Sequence, residues 1–589
     1  MKEIKTPSID GKIIQQLNVE KLTTKYPPKE IEKALVNIFI KEREIELKND
    51  FIRKKYLEAK EEIVEEVYSH LKKMNKELDL MLLEKYFESL LEKEQSGGAY
   101  YTPYFIVDFI VKNTIKKDTD IKIIDPACGS GSFLVGGSRE LDSLSKKNLL
   151  QILEENIFGI DISENAIRRS KIILNLFALT NGIEDEYIDL NLVQANSLSL
   201  DFKEEFPNIF EEGGFDIVIG NPPYAPIPSY YNTDSMNDRY NTINSENKKG
   251  NLYLPFLELM MEISKDDNSR CGHIIPLSLS YHSGKMFQKF RKIIQESEDE
   301  WYFSFYDRSP DSLFGDNIRT RNSIIFLKKR KESRTRVHST KMIRWNSNER
   351  DILFNKISYA DISNLSIKEG IPKVSSELEV KVLKKLRSTF HLRNYLTNKE
   401  TGSNNNLYFY STAYNWLPIF IDIPDSYNRE GEKFTPSSIN VVTCKSDEIL
   451  KQIYAILNSM IAYWYWLVKG DGFHLNKSFL YDFPITPMYF SDSSKNKIND
   501  LAEKISQTAH ENYITTNNNG LQIGNYNKIK CLEYISKVDK IIIDELSFEK
   551  DFYEFLIKRL WEHISAGRDD FKNKEELKKF VKGETNGKI

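Results

Sequence analysis

Apolar residues recur along the chain in two rhythms, and the rhythm changes near residue 95. Before that point, Glu30 to Lys48 and Ile52 to Leu91 place apolar residues three and four apart with Lys and Glu between them. Ile63, Val67 and Leu71 are one such series; Leu80, Leu83, Tyr86, Phe87 and Leu90 are another. This spacing puts them on one face of a helix, so residues 28–95 are expected to form a charged helical bundle or cap. After it come short apolar runs that end in turn residues: Ile121–Asp125, Asn156–Asp161, Leu190–Gln194 and Phe215–Gly220. Gly272–Pro276, Trp301–Tyr306 and Asn322–Leu327 follow. Runs of this length bounded by Gly and Pro read as buried strands, and helical stretches separate them. Strands alternating with helices predict an α/β fold with a doubly wound, mostly parallel, Rossmann-like sheet.

The fourth of these runs continues into Asn221-Pro222-Pro223-Tyr224. Gly220 and the two prolines stop the strand abruptly, because proline fixes φ and donates no backbone hydrogen bond. An amide, a proline carbonyl and a phenol are thus presented on a stiff turn at a strand's carboxyl end, where open α/β sheets bind ligands. The exocyclic amine of a base is a poor nucleophile, since its lone pair is delocalised into the ring. The Asn221 side-chain oxygen and the Pro222 carbonyl can accept its two N–H groups and draw the nitrogen toward tetrahedral geometry. Tyr224 can stack on the ring. The plain alternative is a Pro-rich loop after a core strand.

Three earlier turns have related signals. Thr102 is expected to cap a helix from Pro103 to Lys112, whose N-terminus suits an anion such as an amino-acid carboxylate; a plain capped helix is the other reading. Asp125-Pro-Ala127-Cys-Gly129-Ser-Gly131 follows the first strand, and its glycines let the backbone approach a ligand closely. It lacks the Gly-Lys-Ser/Thr of a phosphate loop. The second strand ends at Asp161, placed to accept the hydroxyls of a ribose, and Ser163 caps the helix Glu164 to Leu179. Asn196, after the third strand, meets an adenine edge or simply closes a turn. Glu46-Leu-Lys48 has the acid-x-Lys pattern of nucleases but lies in a helical stretch with no upstream strand bearing an Asp.

Composition adds limits. At 589 residues, two to four domains are expected. No apolar run is long enough to span a membrane, and no signal peptide is evident, so a cytoplasmic protein is expected. The four scattered cysteines fit neither a disulfide framework nor a zinc site, so no metal is expected. With a net charge of −4, any nucleic-acid binding must come from local patches. Lys328 to Arg344 is such a patch, with eight Lys/Arg against one Glu; Lys328, Lys329, Arg330, Arg334 and Arg336 are its candidate phosphate contacts. A solvated loop explains it equally well. The aromatic run Tyr463-Trp-Tyr-Trp466 reads as core, at the end of an apolar helix from Ile449 to Leu467.

In their order, Thr102-Pro103, Asp125 to Gly131, Asp161 and Asn221-Pro-Pro-Tyr224 resemble the amino-group DNA methyltransferases of the gamma arrangement. The likeness covers roughly residues 96–330. It implies S-adenosylmethionine as cofactor and, because Asn opens the tetrapeptide, adenine N6 as acceptor. It implies that Thr102 lies near the methionine part of the cofactor with the backbone from Asp125 through Ala127 and Gly129 to Gly131. Asp161 holds the ribose, Ile162 packs on the adenine ring, and Asn196 stands where the family often has Asp. Asn221 lies beside the cofactor as well as the base, and Phe314 supplies the second face of a base sandwich with Tyr224. Around His474 and Lys477 the chain is similar to the recognition domain of TaqI-like restriction-modification enzymes, which implies that both face DNA.

The expected layout is a helical region over 1–95 and a methyltransferase domain over 96–345. A target-recognition domain of mixed α+β type follows over 346–494, then a helical tail over 495–589. The expected activity is methylation of a flipped adenine in double-stranded DNA, within a restriction-modification or phage-defence system and with a restriction or defence subunit as a possible partner. The alternatives are RNA or protein-amide methylation, or a DNA-binding modification subunit that needs a partner.

Overall fold

The apolar runs after residue 120 form the strands of one large sheet. They are β1 (Ile123–Asp125), β2 (Ile157–Asp161), β3 (Asn191–Gln194), β4 (Ile217–Gly220), β5 (Arg270–Pro276), β6 (Glu300–Tyr306) and β7 (Asn322–Lys328). The structure is a computed structural model. It describes residues 19–47, 52–53, 58–73, 77–94, 101–116, 120–183, 188–228, 234–243, 250–315, 320–330, 334–386, 390–397, 405–413, 415–564 and 574–581. The chain divides into two compact units. One comprises Met1–His338, Ser347–Ile357 and Ser366–Gly370; the other comprises Ser339–Asn346, Ser358–Leu365 and Ile371–Ile589.

In the first unit the strands lie in the order β3-β2-β1-β4-β5-β7-β6. The first five pair in parallel, while β7 runs antiparallel to both β5 and β6. Every residue of β1 and β4 is buried, which explains why these strands are continuous apolar runs rather than alternating ones. From β1 the chain moves to β2 and β3 on one side, then returns to β4 and β5 on the other. The strand order therefore reverses between β1 and β4, which pair through Ile123 with Ile217 and Ile124 with Val218. Such a switch point opens a crevice at the carboxyl ends of its two strands.

The same unit includes the N-terminal helices Pro28–Glu42, Glu61–Lys73 and Leu80–Glu94. Glu32 is fully buried and accepts hydrogen bonds from Arg168 Nε (3.0 Å), Arg168 Nη2 (2.8 Å) and Arg169 Nε (2.9 Å). Both arginines are on the helix Glu164–Thr180, so this shared carboxylate fastens the N-terminal helices to a helix that flanks the sheet. Lys48 of the Glu46-Leu-Lys48 stretch lies outside the described residues.

The second unit has two small antiparallel sheets. One is built from Leu396–Thr397, Asn406–Tyr410, Ile419–Phe420 and Ile439–Cys444. The segment expected to be a purely helical tail contains the hairpin Tyr513–Asn518 and Leu521–Tyr526, which pairs with Ser426–Tyr427. Its turn is Asn519-Gly520, both with positive φ (53° and 85°), a two-residue hairpin signal. The expected helix Ile449 to Leu467 is two helices, Asp447–Leu457 and Met460–Lys469, because the Ser459 side chain accepts from Ala462 N and starts a new one. Tyr463, Trp464 and Trp466 are buried, as core aromatics should be. All four cysteines are free and buried. Among the described residues no group of His, Cys, Asp and Glu could hold a metal ion, and no helix is long and apolar enough to cross a membrane.

Candidate active site

The two turns at the switch point are the glycine-rich turn after β1 and Asn221 to Tyr224 after β4. Three carboxylates from three different places hold the first turn by its backbone. Asp125 Oδ1 accepts from Ala127 N at 2.9 Å, Asp161 Oδ2 from Gly129 N at 3.0 Å, and Glu88 Oε1 from Ser130 N at 2.6 Å. Gly129 has φ +53°, a backbone angle that favours glycine, and a Cβ there would stand 2.7 Å from Glu88 Oε1, which shows how closely the carboxylate approaches the turn. Ser197 Oγ donates to the Pro126 carbonyl at 2.5 Å and braces the turn from the segment after β3. A Cβ on Gly220 would lie 2.5 Å from Asp125 Oδ1, so the end of β4 passes close against the end of β1.

Beyond Gly220, Asn221 Nδ2 donates to Thr102 Oγ1 at 3.0 Å. This corrects the expected role of Thr102. The helix Tyr104–Thr114 has Pro103 at its N-cap without a side-chain cap bond, and the Thr102 hydroxyl orients the Asn221 amide instead. The Tyr224 hydroxyl donates to the Ile274 carbonyl at 2.9 Å, and its ring meets Tyr253 edge-on with centroids 6.5 Å apart. Its ring is therefore fixed from both ends.

The electrostatics are those of crowded acids. Burial pushes the Asp125 carboxyl up to about 8; the Ala127 N–H pulls the other way, and the charges of Asp161 and Glu88 push it further up. Burial also raises Asp161, against the N–H groups of Ser163, Gly129 and Ile162. The Cys128 thiol is raised well above its ordinary value by burial, so it is no thiolate nucleophile. His273, beside Gly220 in the sheet, is lowered to about 3 by burial and stays neutral.

Thr102, Asp125, Ala127, Gly129, Asp161 and Asn221 are linked by the contacts above, with Gly131 opening the helix Ser132–Leu144. Ile162 is 61% exposed, a large apolar side chain standing in solvent next to Asp161, where a flat ring could cover it. Asn196 Oδ1 accepts from Leu198 N at 3.2 Å and so closes a turn. Phe314 is buried. In the basic stretch, Arg330 Nη2 lies 2.5 Å from buried Glu300 Oε2 and Lys329 Nζ lies 4.0 Å from Asp266; Arg334 and Arg336 are exposed. His474 and Lys477 belong to the second unit. The exposed His474 side chain has its Nδ1 2.5 Å from Oδ2 of the buried Asp471, and Lys477 starts the helix Lys477–Asp482. Glu88 was not foreseen from the sequence. The signal for it was charge on an apolar stripe: Glu84 and Glu88 share a helix face with Leu80, Phe87 and Leu91, and both are buried.

Residues 155–310 match the Eco57I restriction-modification methylase family. That methylase segment includes Asp161, Asn196 and Asn221 to Tyr224. The chain is 29% identical over 136 residues to the methylase subunit of the type I restriction enzyme MpnII of Mycoplasma pneumoniae, covering 22% of each. It is 30% identical over 153 residues to the type II methyltransferase M.BanIII of Aneurinibacillus aneurinilyticus, covering 24% of each. The matches thus span about a quarter of the length of these relatives. Among solved structures, the type IIL restriction-modification enzyme MmeI in complex with DNA aligns with a TM-score of 0.53 at 13% identity, covering 95% of this chain and 93% of that one. That likeness is one of fold.

S-adenosylmethionine is the cofactor that goes with a methylase, and the site fits it. The turn is a cradle that a Cβ at Gly129 would fill, and the donor set is acidic, as a ligand bearing a sulfonium and an ammonium group requires.

Proposed function

We propose that this chain methylates N6 of an adenine in double-stranded DNA, as the modification activity of a restriction-modification or phage-defence system. The observation that carries the reading is Asn221-Pro222-Pro223-Tyr224 at the end of β4, tied to Thr102 and set against the glycine turn. When bound, the cofactor supplies an electrophilic methyl group. Asp161 takes the ribose hydroxyls, Ile162 covers the adenine ring of the cofactor, and the turn from Asp125 to Gly131 receives the methionine part.

The Asn221 side-chain oxygen and the Pro222 carbonyl accept the two N–H groups of the target amine. This localises the nitrogen lone pair, and the Thr102 hydroxyl keeps the amide in the required orientation by accepting from its NH2 end. Tyr224 stacks on the target base. Extruding that base costs a few kcal/mol, which stacking and the two hydrogen bonds offset. Lys328, Lys329, Arg334 and Arg336, with His474 and Lys477, contact phosphates, and residues 346–494 read the sequence.

The test is incubation of the purified chain with methyl-labelled S-adenosylmethionine and DNA, RNA or protein, followed by nucleoside analysis. Label is expected in N6-methyladenine of DNA. Label confined to RNA or protein overturns the reading. Similarity to a type I methylase subunit favours a second reading, a modification subunit that works only with a partner. Its mark is cofactor binding by the isolated chain without transfer to any DNA.

A further inference from the structure

We propose that a cavity in the second unit binds a single unpaired pyrimidine base of the thymine type, a six-membered ring that carries two carbonyl groups. All the residues that line it belong to the second unit, whereas Asn221 and the glycine turn belong to the first. The inference therefore goes beyond methyl transfer and stands or falls without it.

Three stretches of chain enclose the cavity. Asn415 and Trp416 come from the connection between the strands Asn406–Tyr410 and Ile419–Phe420. Phe473 comes from the loop after the helix Met460–Lys469, and its carbonyl accepts from Ala413 N at 2.7 Å. Tyr526, which ends the hairpin strand Leu521–Tyr526, is followed by Asn527 and Lys528. The Tyr410 hydroxyl donates to the Gly524 carbonyl at 2.7 Å and ties that hairpin to the neighbouring sheet. The walls are thus joined through backbone groups. One of them lies beyond residue 494, outside the stretch expected to read DNA.

Size, shape and polarity together select the ligand. The volume is about 190 Å³, the share of roughly six waters at about 30 Å³ each and less than the ~300 Å³ at which sites for larger organic ligands begin. One ring fits; a dinucleotide does not. Trp416, Phe473 and Tyr526 are aromatic walls, which favour a flat ring, and Trp416 is itself stacked on Tyr463 with centroids 5.1 Å apart and so is held in place. The polar groups are mostly donors. Trp416 is 8% exposed, and its Nε1, which can only donate, is buried with no hydrogen-bond partner among the described residues. Lys528 is 3% exposed and gives one of its three N–H groups to the Tyr454 hydroxyl at 2.6 Å. Asn415 Oδ1 accepts from Arg344 Nη1 at 3.3 Å, which leaves its NH2 end to donate. A buried donor without an acceptor is costly, so the ligand that fits brings acceptors. Adenine offers only ring nitrogens, and cytosine and guanine one carbonyl each. Thymine and uracil carry two carbonyls flanking an N–H, an edge that the side-chain amide of Asn527 can meet with both a donor and an acceptor. An inorganic anion would use the donors but leave the aromatic walls without a role. The base comes either from a free nucleoside or from a DNA strand that has turned it out of the stack, and the recognising chemistry is the same.

The experiment is binding to the full chain, with no turnover. Thymidine, adenosine and inorganic phosphate are titrated by calorimetry. Duplexes with a single bulged thymine, bulged adenine or abasic bulge are compared by fluorescence anisotropy. Thymine should be preferred over adenine in at least one of the two formats, and phosphate should not displace it. Trp416→Phe keeps an aromatic ring on Tyr463 and removes the N–H. It should weaken the thymine ligand roughly threefold to tenfold, the effect of one hydrogen bond, and leave the adenine ligand unchanged. Asn527→Ala should show the same selective loss, and it carries the test if Trp416→Phe fails to fold. A preference for the bulged thymine over the abasic bulge assigns the base to DNA; thymidine binding without that preference assigns it to a free nucleoside. Equal affinity for thymine and adenine, displacement by phosphate, no thymine preference in either format, or a preference that both variants leave untouched overturns the proposal. None of these results bears on methyl transfer, which the labelled-cofactor assay reads separately.

Discussion

Buried carboxylates are used in opposite ways in the two units. In the second unit Asp539 stands alone. It is fully buried, and its oxygens accept from Met460 N (3.1 Å) and Ile461 N (3.0 Å) at the start of the helix Met460–Lys469. One carboxylate there satisfies two donors that the helix start leaves over. In the first unit Asp125, Asp161 and Glu88 each give one oxygen to one N–H of a single turn. The hydrogen bonds are of the same kind, but like charge is gathered in one case and isolated in the other. Burial of an acid therefore does not mark a ligand site; convergence of several on one stretch of backbone does.

The comparison is tested hardest at Asn221, the one neutral side chain whose removal should stop chemistry without disturbing the acids. Asn221→Ala should lower single-turnover methyl transfer roughly 10²- to 10³-fold, the scale of losing one preorganised transition-state contact. Cofactor affinity should change little. An unchanged rate would remove the amino-group contact from the mechanism. Thr102→Val, which removes only the acceptor for Asn221 Nδ2, should cost about tenfold in the same assay.

Asp539 gives the contrast in stability. Burial pushes its carboxyl up to about 7 from an ordinary 3.8, against the N–H groups of Ile461 and Met460. Between those values the folded state keeps a proton that the unfolded state has lost. Stability should therefore fall as pH rises from about 4 to 7, by as much as a few kcal/mol, and level off above. Denaturant unfolding of the wild type and Asp539→Asn across that range checks it: the variant should lack this part of the slope. An identical pH profile would mean that the carboxyl is solvated.

Asp125 should titrate in the same direction but respond to ligand. Its carboxyl is held up to about 8 by burial and by neighbouring acids. A cation favours the ionised form, so binding S-adenosylmethionine near neutral pH should release up to one proton. Affinity should rise with pH, by at most about tenfold per unit, and flatten above about 8. Calorimetry in buffers of different ionisation enthalpy measures the released proton directly, and Asp125→Asn should abolish it.

How much of this was legible depended on the reach of the contacts. The strand and turn segments were readable because each is a local pattern: a buried apolar run ended by Gly or Pro, then a capping residue such as Ser163. The reversed direction of β7 was not, since an apolar run looks the same whichever way it is threaded. Thr102 was read as a cap because Thr-Pro before an apolar run suits that role; its partner Asn221 lies far along the chain, and no local rule reaches it. Glu88 was missed for the same reason, since it meets Ser130 only once the helix is folded against the sheet. The hairpin of Tyr513–Asn518 and Leu521–Tyr526 has largely exposed first-strand residues, so it lacked the apolar alternation that announces a strand, and only Asn519-Gly520 hinted at it.

The smallest effect concerns the basic stretch, where two arginines of similar sequence context are placed differently. Arg330 lies against Glu300, which is 4% exposed, whereas Arg336 is exposed at the start of its strand. If the stretch lies on phosphates, Arg336→Ala should reduce the slope of log affinity for DNA against log salt by about 0.9, the value for one released counterion, and leave folding unchanged. Arg330→Ala should do the reverse. Removing it leaves the buried Glu300 carboxylate without that partner, which costs folding stability in the way that a half-broken buried pair does, while the salt slope stays the same. Fluorescence anisotropy over a salt series, with urea unfolding of each variant, separates the two. A reduced slope in both variants would mean that the Glu300 pair opens when DNA binds, and the two arginines would then belong to one phosphate-binding surface.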